Sequence, residues 1–321
     1  MRLLITGMGG ELGTRVAQLL EVDPDISEIV GLDVDPPRRR LRRAEFHRIN
    51  PRDRTRSVAF VRAFDPDVVV HLGVYEPNAR SSPRSAAERT RAGTMSVLGA
   101  AGECPSLRAI VVRSGIEVYG RRRGCATVPD ESVARDPTSP FGASLAEVED
   151  IAAAAGRAAD VPVTTLRMAP VVGPHVPSPL GRYLRMGPVV PISAFADPTF
   201  SLLHQEDAVA AVIAAVKVTT FDGPLNVVGS GAVTAFQAVR LGGRIPLPIL
   251  GPELRLIRPV AELLGSPVPP HVLELLHRGR TADGSLSTEV LPVTPRSTVE
   301  VVKDLYEWAT VTHLRATEAA A

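Results

Sequence analysis

Lysine is almost missing from this chain. Of its 36 basic residues only Lys217 and Lys303 are lysines. No tyrosine therefore has a lysine four residues later: Tyr75, Tyr119, Tyr183 and Tyr306 are followed at that offset by Ala79, Arg123, Gly187 and Thr310. Cysteine is equally sparse. Cys104 and Cys125 lie in unrelated segments, which reads as two free thiols and offers no metal spacing. No His/Cys/Asp cluster has metal-ligand spacing either, so no metal is expected. No apolar run reaches the roughly 20 residues that a bilayer-spanning helix needs. The net charge is +1, which gives no electrostatic reason to expect nucleic acid or an anionic membrane as partner. The opening residues read as a strand and not as a secretory leader, so a cytoplasmic protein is expected. No Gly-x-Ser-x-Gly elbow is present, so hydrolase chemistry of that kind has no support.

What is present is a long, ordinary globular composition. A chain of 321 residues with 45% hydrophobic and 22% charged side chains can bury a large core. The first half alternates short apolar runs with helical stretches. Strands are expected at 2–6, 28–32, 67–72, 108–113 and 163–167, and helices at 13–21, 58–64, 83–103 and 141–159. Near-continuous apolar strands separated by helices imply a parallel sheet covered on both faces, a doubly wound α/β fold. After residue 170 the texture becomes proline-rich, and the run Ile245-Pro-Leu-Pro-Ile-Leu250 and its surroundings read as a smaller lobe. The expected division is a Rossmann domain of 1–169 plus 201–230 and a substrate lobe of 170–200 plus 231–321.

The first strand runs into Thr6-Gly7-Met-Gly9-Gly10-Glu-Leu12-Gly13. Glycines at 7, 10 and 13 allow a tight turn, close approach of a pyrophosphate, and close packing of helix on strand. The helix that follows presents unpaired N–H groups and a positive dipole end to phosphates. Asp33 ends the second strand, about twenty residues on. A carboxylate there accepts hydrogen bonds from ribose hydroxyls and repels a 2′-phosphate, so the expected cofactor is NAD. The Arg38-Arg39-Arg40 run would argue for NADP, but it lies five or more residues past the strand end.

With these residues in hand the chain resembles the NAD-dependent epimerase/dehydratase family of extended short-chain dehydrogenases/reductases. Thr6-Gly7-x-x-Gly10-x-x-Gly13 resembles the family's opening motif. Arg48-Ile-Asn50-Pro51-Arg-Asp53 is similar to its adenine-side stretch, and Val70-His71-Leu72-Gly73 to the strand end beside the cofactor. Val118-Tyr119-Gly120, Leu166-Arg167-x-x-Pro170-x-x-Gly173-Pro174 and Leu203-His204-x-x-Asp207 are similar to later motifs. The resemblance implies that Thr6, Gly7, Gly9, Gly10, Leu12, Gly13, Asp33, Asn50, Pro51, Leu72 and Gly73 bind the cofactor. It also implies a homodimer through the helices at 83–103 and 141–159.

The departures bear on reaction. The resemblance implies a catalytic serine or threonine where Gly115 stands, a tyrosine where Phe141 stands and a lysine where Leu145 stands. Thr90 and Pro170 replace two asparagines. A phenyl ring has no proton to give and leucine cannot stabilise a phenolate. The expected catalytic candidates are therefore Glu117, at a place where relatives carry a catalytic glutamate, and the phenol of Tyr119. A carboxylate held away from water beside a nicotinamide can act as general base. His175, Arg182 and Arg280 are expected to meet a small-molecule substrate, the arginines because a guanidinium pairs bidentately with anions. Three functions stay open: an enzyme of non-standard acid/base chemistry on a sugar-nucleotide or secondary metabolite, a catalytically silent NAD-binding sensor or partner protein, and a non-redox lyase, cyclase or isomerase reusing the cleft.

Overall fold

The computed structural model describes residues 1–78, 81–194, 196–249 and 268–307. The main sheet has seven strands: β1 (Arg2–Thr6), β2 (Glu28–Asp33), β3 (Glu45–Arg48), β4 (Val68–His71), β5 (Ala109–Gly115), β6 (Val163–Met168) and β10 (Gly223–Val227). Their order is β3-β2-β1-β4-β5-β6-β10, and every pairing is parallel. The chain reverses direction across the sheet between β1 and β4, where a doubly wound fold binds its ligand. All four residues of β4 and all six of β6 are buried, as a sheet covered on both faces requires.

The covering helices are α1 (Glu11–Leu20), α2 (Arg54–Phe64), α3 (Pro83–Ala101), α4 (Pro140–Ala159) and α6 (Gln205–Lys217). Between α4 and α6 lies the short α5 (Pro179–Leu184). Helices α3, α4 and α5 all open on a Ser-Pro pair. The serine hydroxyls of Ser82, Ser139 and Ser178 accept from the backbone N–H three residues on, at 3.2, 3.1 and 3.3 Å. Proline then fills the first helical position, where no N–H is needed.

The edge strand β3 was not foreseen from its Glu-Phe-His-Arg sequence. Its first and last residues are exposed, so the apolar signal of a buried strand is absent. Beyond the sheet, β8 (Val189–Ser193) pairs in parallel with β11 (Ile245–Ile249). Pro246 and Pro248 alternate along β11. Ile245 N–H donates to the Pro188 carbonyl at 2.9 Å, so the prolines fall on the side away from β8, where no ladder bond is lost. The remaining two-stranded pair is β7 (Val171–Val172) with β9 (Leu203–His204).

Two hydrophobic clusters result among the described residues. The larger fills both faces of the main sheet. The smaller joins Phe200 to Leu184, Val239, Leu275 and Leu305, which come from α5, α7 (Ala235–Leu241) and the helices Pro270–Arg278 and Thr298–Glu307. Ala282 and Leu291 return to the larger cluster, so the segment between them leaves the smaller lobe and packs on the sheet. Among the described residues no helix is long and apolar enough to cross a membrane.

Candidate functional site

The glycine turn forms at the carboxyl end of β1. Gly7 has φ +73°, a left-handed conformation that glycine adopts without penalty. Its carbonyl accepts from the Gly10 N–H at 3.1 Å. A Cβ on Gly13 would fall 2.2 Å from the Gly7 oxygen, so only glycine lets α1 seat this close to the turn. Helix α1 starts at Glu11, two residues before the expected start. Gly7, Gly9, Gly10, Leu12 and Gly13 line an open cleft together with Leu72 and Gly73. The first-turn N–H groups of α1 have no intrahelical partners and supply the anion-binding end of that cleft.

Asp33 closes β2 and lines the same cleft. It accepts from the N–H groups of Gly9 (2.9 Å) and Val34 (2.6 Å). Burial pushes its carboxyl above the ordinary carboxylate range, against the opposing pull of those N–H donors. A carboxylate has about four acceptor positions, so capacity remains for the hydroxyls of a ribose. Of the arginine run, Arg39 is committed to Glu11 at 2.9 Å, while Arg38 lines the cleft. Pro51, Ile49 and Gly93 enclose a side pocket that shares Gly7, Asp33 and Gly73 with the cleft. Asn50 does not line it. Its side chain is exposed and accepts from the Arg52 N–H at 3.0 Å, which closes the turn before α2.

Thr6 and His71 lie beneath this pocket in a chain of fully used hydrogen bonds. Gly73 N–H donates to Thr6 Oγ1 (3.2 Å), which lies 2.8 Å from His71 Nδ1. On the other side His71 Nε2 lies 2.9 Å from Thr94 Oγ1, which donates to the Thr90 carbonyl (2.7 Å). Because Thr94 spends its proton on Thr90, His71 must donate from Nε2 and accept at Nδ1. That is the neutral imidazole. Burial pushes its pKa down to about 4, so His71 is a packed histidine at neutral pH.

The cleft adjoins a second, small cavity, and the two share Glu76, Arg113 and Val171 as walls. Phe141, Leu145, Gly115 and Glu117 form its floor. Glu117 sits in the single 3₁₀ turn Ile116–Tyr119 that ends β5. A Cβ on Gly115 would fall 2.3 Å from Glu117 Oε2 and 3.1 Å from Leu145 Cδ1. Facing them is His271, from the Pro270–Arg278 helix, whose ring centroid lies 4.8 Å from that of Phe141. Its Nε2 is 3.0 Å from Glu76 Oε1.

The structure separates the remaining expected residues. Tyr119 does not line the cavity. Its hydroxyl donates to Asn226 Oδ1 (2.8 Å) and accepts from Arg167 (2.9 Å). Arg167 is in turn paired with buried Glu149 at 2.8 Å. Burial pushes the Tyr119 phenol up, and the fixed network leaves it no route to a ligand in the cavity. Arg280 is 1% exposed and lies between two carboxylates, Glu274 at 2.6 Å and Glu117 at 3.4 Å. A guanidinium this buried needs such pairing, and its hydrogen bond goes to Glu274, so Arg280 is not a solvent-facing anion hook. Arg182 is exposed on α5. His175 is exposed too, with its backbone N–H on Gln205 Oε1 (3.0 Å), while its neighbours Val176 and Pro177 line the cleft.

Residues 3–227 match the NAD dependent epimerase/dehydratase family. The chain belongs to that family. It is 33% identical over 261 residues to Uncharacterized protein Rv0501 of Mycobacterium tuberculosis, a match covering 78% of this chain and 68% of the relative. Among solved structures it is similar to MoeE5 in complex with UDP-glucose and NAD, with a TM-score of 0.72 and 22% identity over 96% of this chain and 98% of that one. It is also similar to the UDP-glucose 4-epimerase of Thermotoga maritima with UDP-glucose, with a TM-score of 0.71 and 20% identity over 96% and 98% of the two chains. Likeness at these identities establishes the fold.

Within this epimerase/dehydratase fold three wall residues escaped the sequence reading. Arg113 sits on β5 two residues before Gly115 and lines both cavities. Nothing marks a strand arginine as inward-facing until the sheet is built. Glu76 and His271 are 195 residues apart and meet only through the packing of the smaller lobe. A lone His after a Pro-Pro pair carries no motif.

Proposed function

We propose that this chain binds NAD in the glycine-turn cleft and acts on a sugar-nucleotide or related secondary metabolite by non-standard acid/base chemistry. The observation that carries this reading is adjacency. The cleft that presents the α1 N-terminus and Asp33 shares Glu76, Arg113 and Val171 as walls with a cavity that Glu117 lines. The donor set suits the cofactor: backbone N–H groups for the pyrophosphate, Asp33 for the adenosine ribose, and Ile49 and Pro51 for the adenine. NAD, when bound, supplies the hydride acceptor. The relatives that combine NAD with UDP-sugars in their structures support a substrate of that chemistry.

In this reading Gly115, Phe141 and Leu145 stand where the family's catalytic serine, tyrosine and lysine belong. Phe141 and Leu145 make an apolar floor, 7% and 1% exposed, and this favours the second reading, a silent NAD-binding protein. Glu117 distinguishes the two. It is buried, belongs to the cavity wall, and lies 3.4 Å from the Arg280 guanidinium. The same reading makes the protein cytoplasmic and dimeric through α3 and α4, which sedimentation of the purified chain tests.

The deciding experiment has two steps. The nucleotide released from denatured protein is identified by mass. NAD-loaded protein is then mixed with UDP-glucose, UDP-galactose and UDP-glucuronic acid, and reduced-nicotinamide absorbance and sugar products are followed. Turnover that disappears in Glu117→Gln with NAD affinity kept supports the reading. NAD binding with no change in any sugar supports the silent protein, and no nucleotide binding at all leaves a non-redox reaction in the cleft.

A further inference from the structure

The cavity beside Glu117 contains a second acid/base group that no family motif points to. His271 is 4% exposed and lines the cavity together with Glu76. Its Nε2 lies 3.0 Å from Glu76 Oε1. Its Nδ1 is buried and has no hydrogen-bond partner. Buried polar atoms are almost always satisfied, so an orphan in a cavity wall asks for an explanation. Here the partners assign the proton. A carboxylate only accepts, so a neutral ring carries its proton on Nε2 and leaves Nδ1 as a bare acceptor. His271 lines the cavity, and a hydroxylated ligand that reached Nδ1 would complete this acceptor.

The surroundings fit that role. The Phe141 ring packs at 4.8 Å between centroids, tilted by 43°, and holds the imidazole against the apolar floor. Leu145 and Val272 add apolar wall to the same space. Glu76 faces the ring from the loop after β4, which also carries Tyr75 and borders the cofactor cleft. A carboxylate behind a histidine fixes the tautomer and stabilises the imidazolium that forms when the ring takes a proton.

We propose that Glu76 and His271 form the proton-transfer dyad of this cavity, with His271 as the catalytic residue and Glu76 as its positioning residue. The inference rests on the cofactor-linked cavity of the proposed function. In the step itself the O–H bond of a ligand hydroxyl breaks and an N–H bond forms at His271 Nδ1. The ring becomes cationic opposite Glu76, and the proton returns to oxygen when the step reverses. Phe141 is then a packing surface for the base and not the remnant of one.

Two measurements test this on the full chain. The first needs no substrate. Nitrogen-resolved NMR of the imidazoles, with His271 assigned from the His271→Gln variant, is expected to show the Nε2–H tautomer at neutral pH. In Glu76→Gln that preference is expected to be lost and the His271 nitrogen shifts to move. A protonated Nδ1 in the wild type, or shifts indifferent to Glu76→Gln, overturns the proposal. The second measurement uses NAD-loaded protein and the three UDP-sugars named above. His271→Gln is expected to lower turnover by roughly 100-fold or more with NADH affinity unchanged. Turnover retained in His271→Gln also overturns the proposal. Wild-type protein inert to all three sugars counts against the proposed substrate class, while the NMR measurement still decides the dyad.

Discussion

The carboxylate of Glu117 occupies the space that a side chain at position 115 would need, since a Cβ on Gly115 would lie 2.3 Å from Glu117 Oε2. The two positions are therefore coupled. A side chain at 115 must displace the Glu117 carboxylate or push Leu145. Gly115→Ala is expected to cost about 1–3 kcal/mol by overpacking. The cost is expected to shrink by about 1 kcal/mol or more in a Glu117→Ala background. Chemical denaturation of the four proteins of that cycle measures it, and additive effects would break the coupling.

Tyr119 belongs to a different network, with Asn226, Arg167 and Glu149. Tyr119→Phe removes a hydroxyl that satisfies two buried partners, which should lower stability by about 1–3 kcal/mol. NADH affinity should not change. Thermal melting and NADH titration check the two halves. A variant of unchanged stability and altered nucleotide affinity would place the phenol in the cleft.

Much of this was legible from local sequence, and the limit is physical. Arg2–Thr6 and Val68–His71 announce themselves because both faces of each strand are buried, so apolar residues run on in each. The glycine turn and Asp33 are legible because ligand geometry fixes residue type at fixed spacing. Glu117 could be singled out because it lies beside Val118-Tyr119-Gly120. Tyr119 and Arg280 were legible as polar residues of the right region, but their partners were not. Whether a phenol or guanidinium faces a cavity or a buried carboxylate depends on Asn226 and Glu274, far away in sequence. The Glu76–His271 pair was invisible for the same reason. The edge strand β3 and the proline-bearing β11 lack the burial that writes a strand pattern.

His71 makes acid stability a readout of the site. Its pKa lies at about 4 in the folded chain against 6.5 for an ordinary histidine. Between those values the unfolded chain binds more protons than the folded one. The contribution of His71 is therefore complete above 6.5 and lost as pH falls towards 4. The full effect is on the order of 3 kcal/mol. Urea denaturation at a series of pH values across that window should show stability falling with acid. His71→Phe should flatten the slope, and an unchanged slope would assign the titration elsewhere.

The central claim is that the glycine turn and Asp33 hold an adenine dinucleotide. Titration of the purified chain with NADH, followed by nicotinamide fluorescence, tests it most directly when wild type and Asp33→Ala are compared. The account predicts saturable binding of one NADH per chain in the wild type. It predicts affinity weaker by roughly 10- to 100-fold in Asp33→Ala, the loss expected for hydrogen bonds to a charged group. No binding in the wild type, or equal affinity in the two proteins, would contradict it.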